Sequence, residues 1–81
     1  MDKKEIGRIT HYFPKVGVAV VILSADLNKG DLVTIGGKSE PFDQMIQSMQ
    51  IENREIPTAK KGQMIGLKVE KPAHEGDIIW R

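Results

Sequence analysis

Few side chains in this sequence could do chemistry. "GGKS" at residues 36 to 39 resembles the end of the phosphate-binding pattern G-x-x-x-x-G-K-[ST]. The first glycine of that pattern would fall on Leu32, however, and Pro41 stands where the following helix should begin. The stretch therefore reads as a glycine turn, and no nucleotide is expected. His11 and His74 lie far apart in a chain with no cysteine and no acidic cluster at ligand spacing, so neither a metal site nor a histidine acid/base pair is expected. Ser24, Ser39 and Ser48 lack the strand-turn-helix setting of a nucleophile elbow. The expectation is a protein that is not an enzyme and carries no cofactor.

Surface binding remains. Arg54, Lys60, Lys61, Lys68 and Lys71 gather in the C-terminal half, and Arg8, Tyr12 and Lys15 combine charge with an aromatic ring near the N-terminus. Basic groups beside an aromatic can follow a phosphate backbone and stack a base. The plainer reading is a solvated surface, because Glu52, Glu55 and Glu70 interleave with those cations. Twelve basic against eleven acidic residues give a net charge of +1, too small for the broad field of a dedicated nucleic-acid binder.

The elements that must position these residues are short. Prolines at 14, 41, 57 and 72 and glycines at 30, 36, 37, 62 and 76 divide the 81 residues into pieces of strand length. Strands are expected at about 5–13, 16–24, 32–35, 43–52, 63–70 and 77–80, and they point to an all-β barrel or sandwich within a single domain over 1–81. "VGVAVVILS" is apolar on both faces, as in a strand covered on both sides. "MIGLKVE" alternates, with Ile65, Leu67 and Val69 inward and Met64, Gly66, Lys68 and Glu70 outward. "FDQMIQSMQIENREI" fits helical and strand spacing about equally. Trp80 is expected to point inward, with Ile79 outward; the alternative is an exposed aromatic at an interface. The longest apolar run, Val18 to Leu23, is far below the roughly 20 residues of a membrane helix. A soluble, cytoplasmic monomer is the expectation.

"KGDLV", "KGQMI" and "EGDII", at 29–33, 61–65 and 75–79, repeat one scheme: charge, glycine, polar residue, two apolar residues. Each reads as a glycine turn that releases directly into a strand.

The order of these motifs resembles the second domain of translational GTPases such as elongation factor Tu. It is closer still to small stand-alone translation elongation factor-like proteins, in which "HYF", "KVGVA" and "SMQIE" recur. The resemblance implies an all-β fold, a closed six-stranded antiparallel Greek-key β-barrel, and makes 43–52 a strand. It places Gln50 and Met64 at pocket positions where the family has a glutamate and an asparagine. The implied function is a non-catalytic module that binds RNA or a ribonucleoprotein, tRNA or the ribosome, through Arg8, Tyr12, Arg54, Lys60, Lys61 and Lys68, without a GTPase domain. The alternative is a protein-interaction or accessory module, since a similar barrel looks to be appended to collagenase-like peptidases.

Overall fold

Alternating burial along short strands organises the chain. In a computed structural model that describes residues 3–81, ten strands form and no helix does among those residues. They are β1 (Glu5–Phe13), β2 (Val18–Leu23), β3 (Leu27–Asn28), β4 (Leu32–Gly36), β5 (Phe42–Met45), β6 (Met49–Ile51), β7 (Arg54–Glu55), β8 (Thr58–Ala59), β9 (Met64–Lys68) and β10 (Ile78–Trp80). Eight make one antiparallel sheet in the order β5-β4-β10-β1-β2-β9-β6-β7, and β3 and β8 pair separately. The expected all-β class holds. The closed six-stranded barrel does not: the sheet is a curled half-barrel whose edge strands, β5 and β7, are not paired to each other.

A buried side chain spans part of the opening. Gln44 on β5 is 3% exposed; its Nε2 donates to the Lys68 carbonyl at 3.0 Å and its Oε1 accepts from the Glu70 N–H at 2.9 Å. One amide thus satisfies a backbone donor and a backbone acceptor at the end of β9, as a neighbouring strand would. This inward glutamine also explains the ambiguity of 42–56. Phe42, Gln44 and Ile46 point in while Met45 is 53% exposed, so the strand period is real but polarity does not report it. The single strand expected over 43–52 is in fact two, β5 and β6, separated by residues 46–48.

β6 and β7 form a hairpin whose two loop residues both have positive φ, Glu52 at 53° and Asn53 at 65°. That is the type I′ pattern, matched to strand twist and best served by Asn-Gly. A glutamate there is strained. Glu52→Asn combined with Asn53→Gly should raise stability by about 1 kcal/mol and the melting temperature by roughly 4–8 °C in a domain of this size. Calorimetry checks it, and an unchanged melting temperature would refute the strain.

The three sequence echoes are one structural unit built three times. Residues 28–31, 60–63 and 74–77 each form a turn with glycine third, at φ 94°, 89° and 91°. In each, the fourth residue donates its N–H to the carbonyl of the first, at 3.0–3.1 Å. Its side-chain oxygen also accepts the first residue's N–H: Asp31 from Asn28 at 2.9 Å, Gln63 from Lys60 at 2.7 Å and Asp77 from His74 at 2.8 Å. Each turn then clasps one buried aliphatic residue on another strand or loop. Gly30, Gly62 and Gly76 donate to the carbonyls of Ile46, Leu23 and Ile9, whose own N–H groups return bonds to Asp31, Gln63 and Asp77. The polar residue after each glycine is therefore a cap, and the three clasps tie distant parts of the chain together.

Two irregularities in β1 set which faces meet. Register shifts occur between Glu5 and Gly7 and between Ile9 and His11. Such bulges invert side-chain parity along a strand. Without the second, Arg8 and Tyr12 would share a face. With it, Tyr12 pairs with inward Ala19 and packs on the core, while His11 and Phe13 turn outward opposite Val20 and Val18. Trp80 also departs from expectation: Ile79 is fully buried opposite Gly7 and Ile35, leaving Trp80 half-buried on the outer side opposite Thr34.

Candidate functional site

The outer face of β1, β2 and β9 carries side chains that a folded core does not use. Cross-strand pairing aligns them in rows: Ile78, Arg8, Ile22 and Met64; then His11, Val20, Gly66 and Gln50; then Phe13, Val18 and Lys68. Ala19, Val21 and Leu23 supply the buried face of β2, so its other apolar set is left to solvent. Phe13 is 50% exposed, Val16 58%, Ile22 38% and Met64 55%. Gly66 has no side chain to fill the middle of the patch, and a Cβ there would sit 3.5 Å from Val18. The His11 ring meets the edge of Phe13 with centroids 6.5 Å apart. Arg8, Lys15 and Lys68 are exposed around or beside these residues. An apolar patch with a basic rim suits a protein surface better than water.

The basic residues singled out from sequence do not form one site. Arg8 and Lys68 stand on this outer face, whereas Tyr12 faces the core from the opposite side of the sheet. Arg54 lies on edge strand β7. Lys60 and Lys61 belong to the second clasp: the Lys61 N–H is held by Asp26 Oδ1 at 2.8 Å, and Lys60 Nζ lies 3.7 Å from Asp26 Oδ2. Gln50 and Met64 are exposed on the outer face, separated by the row shift between Gly66 and Ile22. Phe13, Val16 and Ile22 were the residues missed. For Val16 and Ile22 only the two-sided apolar character of residues 16–24 was a hint, and it suits a covered strand equally well; nothing local marked Phe13.

A second concavity lies between the "GGKS" turn and the third clasp. Asp77, fully buried, accepts from the Lys38 and Ser39 N–H groups through Oδ1, at 2.7 and 2.9 Å, and from His74 N–H through Oδ2. Burial pushes its carboxyl up. The Ser39 side chain and the three backbone N–H groups outweigh that and hold it below the ordinary carboxylate range. Ser39 Oγ and His74 Nδ1 are hydrogen-bonded. This pair is not a catalytic triad, because both oxygens of Asp77 are committed to backbone and no other carboxylate among the described residues bonds the imidazole. No group of metal-ligating side chains occurs among the described residues.

Comparison with known proteins overturns the translation-factor resemblance. No family model matches the chain. It is 38% identical over 79 residues to an uncharacterized protease of Methanocaldococcus jannaschii, a match covering 96% of the chain but 19% of that relative, so the chain spans about a fifth of the relative's length. The crystal structure of the C-terminal domain of a Geobacillus thermoleovorans protein assigned as a U32 peptidase superposes with a TM-score of 0.89 at 26% identity, covering 96% of this chain and 99% of that one. A second crystal structure of the same domain gives 0.87 over 94% and 89%. The resemblance that gave Gln50 and Met64 their pocket roles is thereby overturned, and these relatives lend no support to RNA binding through Arg8, Tyr12, Arg54, Lys60, Lys61 and Lys68. Over nearly its whole length, the chain is instead similar to a domain that a U32 peptidase-type protein carries at its C-terminus.

Proposed function

We propose that the chain is a non-catalytic accessory module that docks on the catalytic body of a U32-type peptidase through the outer face of β1, β2 and β9. The observation that carries this reading is the exposed apolar set Phe13, Ile22 and Met64, on strands whose other faces already supply the core, with Val16 exposed in the turn between β1 and β2. The similarity to a peptidase's C-terminal domain supports the choice of partner, and the relative's remaining four-fifths provides a body for such a face to pack on. The basic rim of Arg8, Lys15 and Lys68 calls for acidic residues around the complementary patch. The module's work is to position or stabilise the catalytic body, with no hydrolysis of its own.

The Geobacillus domain crystallises by itself, which makes the two parts separable. Isothermal titration of the chain into the M. jannaschii relative with its matching 79 residues removed should show saturable, salt-weakened binding. Ile22→Glu and Met64→Glu should each weaken it at least about tenfold, a loss of roughly 1.4 kcal/mol. Both sites are exposed, so neither variant should unfold. Absent binding, or binding indifferent to both charges, rules out this face.

A further inference from the structure

The concavity above Asp77 is an open basin of about 610 Å³ that shares no residue with the docking face, and its chemistry is different. Its walls are residues 38–42 on one side and Lys71, Pro72 and His74 on the other, which Asp77 staples together by accepting from both. Two lysines, Lys38 and Lys71, line it. Lys71 Nζ lies 5.9 Å from the centroid of the Phe42 ring. Lys38 crosses Gly76, where a Cβ would come within 3.1 Å of Lys38 Cε, so the glycine is what lets the side chain lie flat. Among the described residues no ion pair uses either lysine. The Ser39 hydroxyl, held on His74, adds a neutral polar contact. Pro41, Pro72 and the edge of Phe42 complete the lining with apolar surface.

We infer that this basin binds the C-terminal carboxylate of a peptide whose last side chain is apolar. The Asp77 charge is turned into the fold and met by backbone N–H groups, so Lys38 and Lys71 against Glu40 leave one net positive charge facing the basin. One positive charge matches a monoanionic carboxylate better than a phosphate dianion. Charge-assisted bonds from the two lysines take the carboxylate, Ser39 fixes its orientation, and the proline and phenylalanine surface accepts the terminal side chain. The inference is independent of the docking reading: either can fail while the other stands.

The test is a titration of the isotopically labelled chain, followed by amide resonances, with three probes: acetyl-Ala-Ala-Phe with a free carboxylate, its C-terminal amide, and inorganic phosphate. The free acid should shift the Ser39 and His74 amides saturably, the C-terminal amide at least about tenfold more weakly, and phosphate no better than the amide. Lys38→Gln with Lys71→Gln should weaken the acid at least about tenfold while leaving the rest of the spectrum in place. Ser39→Ala, which keeps the backbone N–H to Asp77, should weaken it by a smaller factor. Equal binding of acid and amide, stronger binding of phosphate, or no shifts around the basin would each overturn the inference.

Discussion

Asp77→Ala should destabilise the chain by about 3 kcal/mol, because it removes the shared acceptor of three part-buried N–H donors, each costing at the low end of roughly 1–3 kcal/mol when unpaired. For a domain of this length, whose total stability is on the order of 4–12 kcal/mol, that approaches unfolding at 37 °C. Asp77→Asn should cost less. Its amide oxygen still accepts from Lys38 and Ser39, but its amide nitrogen, a donor, faces the His74 N–H. The two variants also separate charge from shape in acid. Asp77 is held below the usual carboxylate range in the folded chain, so its contribution is complete above about pH 4, the ordinary unfolded value, and is lost as pH falls through the lower folded one. Urea melts between pH 2 and pH 6 should show a steeper acid loss in the natural chain than in Asp77→Asn. Parallel pH curves would mean the carboxylate is not held as described.

The second large effect is expected at Gln44. Gln44→Leu roughly keeps the volume but leaves the part-buried Lys68 carbonyl and Glu70 N–H without their partner, a loss of about 2 kcal/mol. Gln44→Glu should fall between, since a carboxylate can accept from Glu70 but opposes the Lys68 carbonyl. Hydrogen exchange localises the effect: the Glu70 amide should lose protection first, as the opening between β5 and the end of β9 is no longer bridged. If the amide stays protected in Gln44→Leu, the glutamine is not what joins these segments.

Both residues show why the site was only partly legible. Asp77 stands in "EGDII", and the echo with "KGDLV" and "KGQMI" marked the turn, because a glycine at positive φ with a polar cap three residues after the turn's start is local chemistry. That the same aspartate also reaches residues 38 and 39 is a contact across the chain, which no local pattern carries. Gln44 reads as a surface residue until the backbone groups of Lys68 and Glu70 are known to face it. Ser39 and His74, dismissed separately for want of a motif, meet only because Asp77 draws their turns together.

The sequence by itself determined the all-β class, the inward set of β9 and the three glycine turns, because alternation and turn chemistry act over a few residues. Tertiary structure decided the rest. The bulge between Ile9 and His11 reversed the faces of Tyr12 and Phe13, and pairing of β10 with β1 and β4 sent Ile79 in and Trp80 out. A strand of period 2 converts any one-residue shift into an exchange of faces, and the shift is selected by contacts with partner strands distant in sequence. That exchange put Phe13 beside Val18 and Lys68, and with it made the exposed apolar face of β1, β2 and β9.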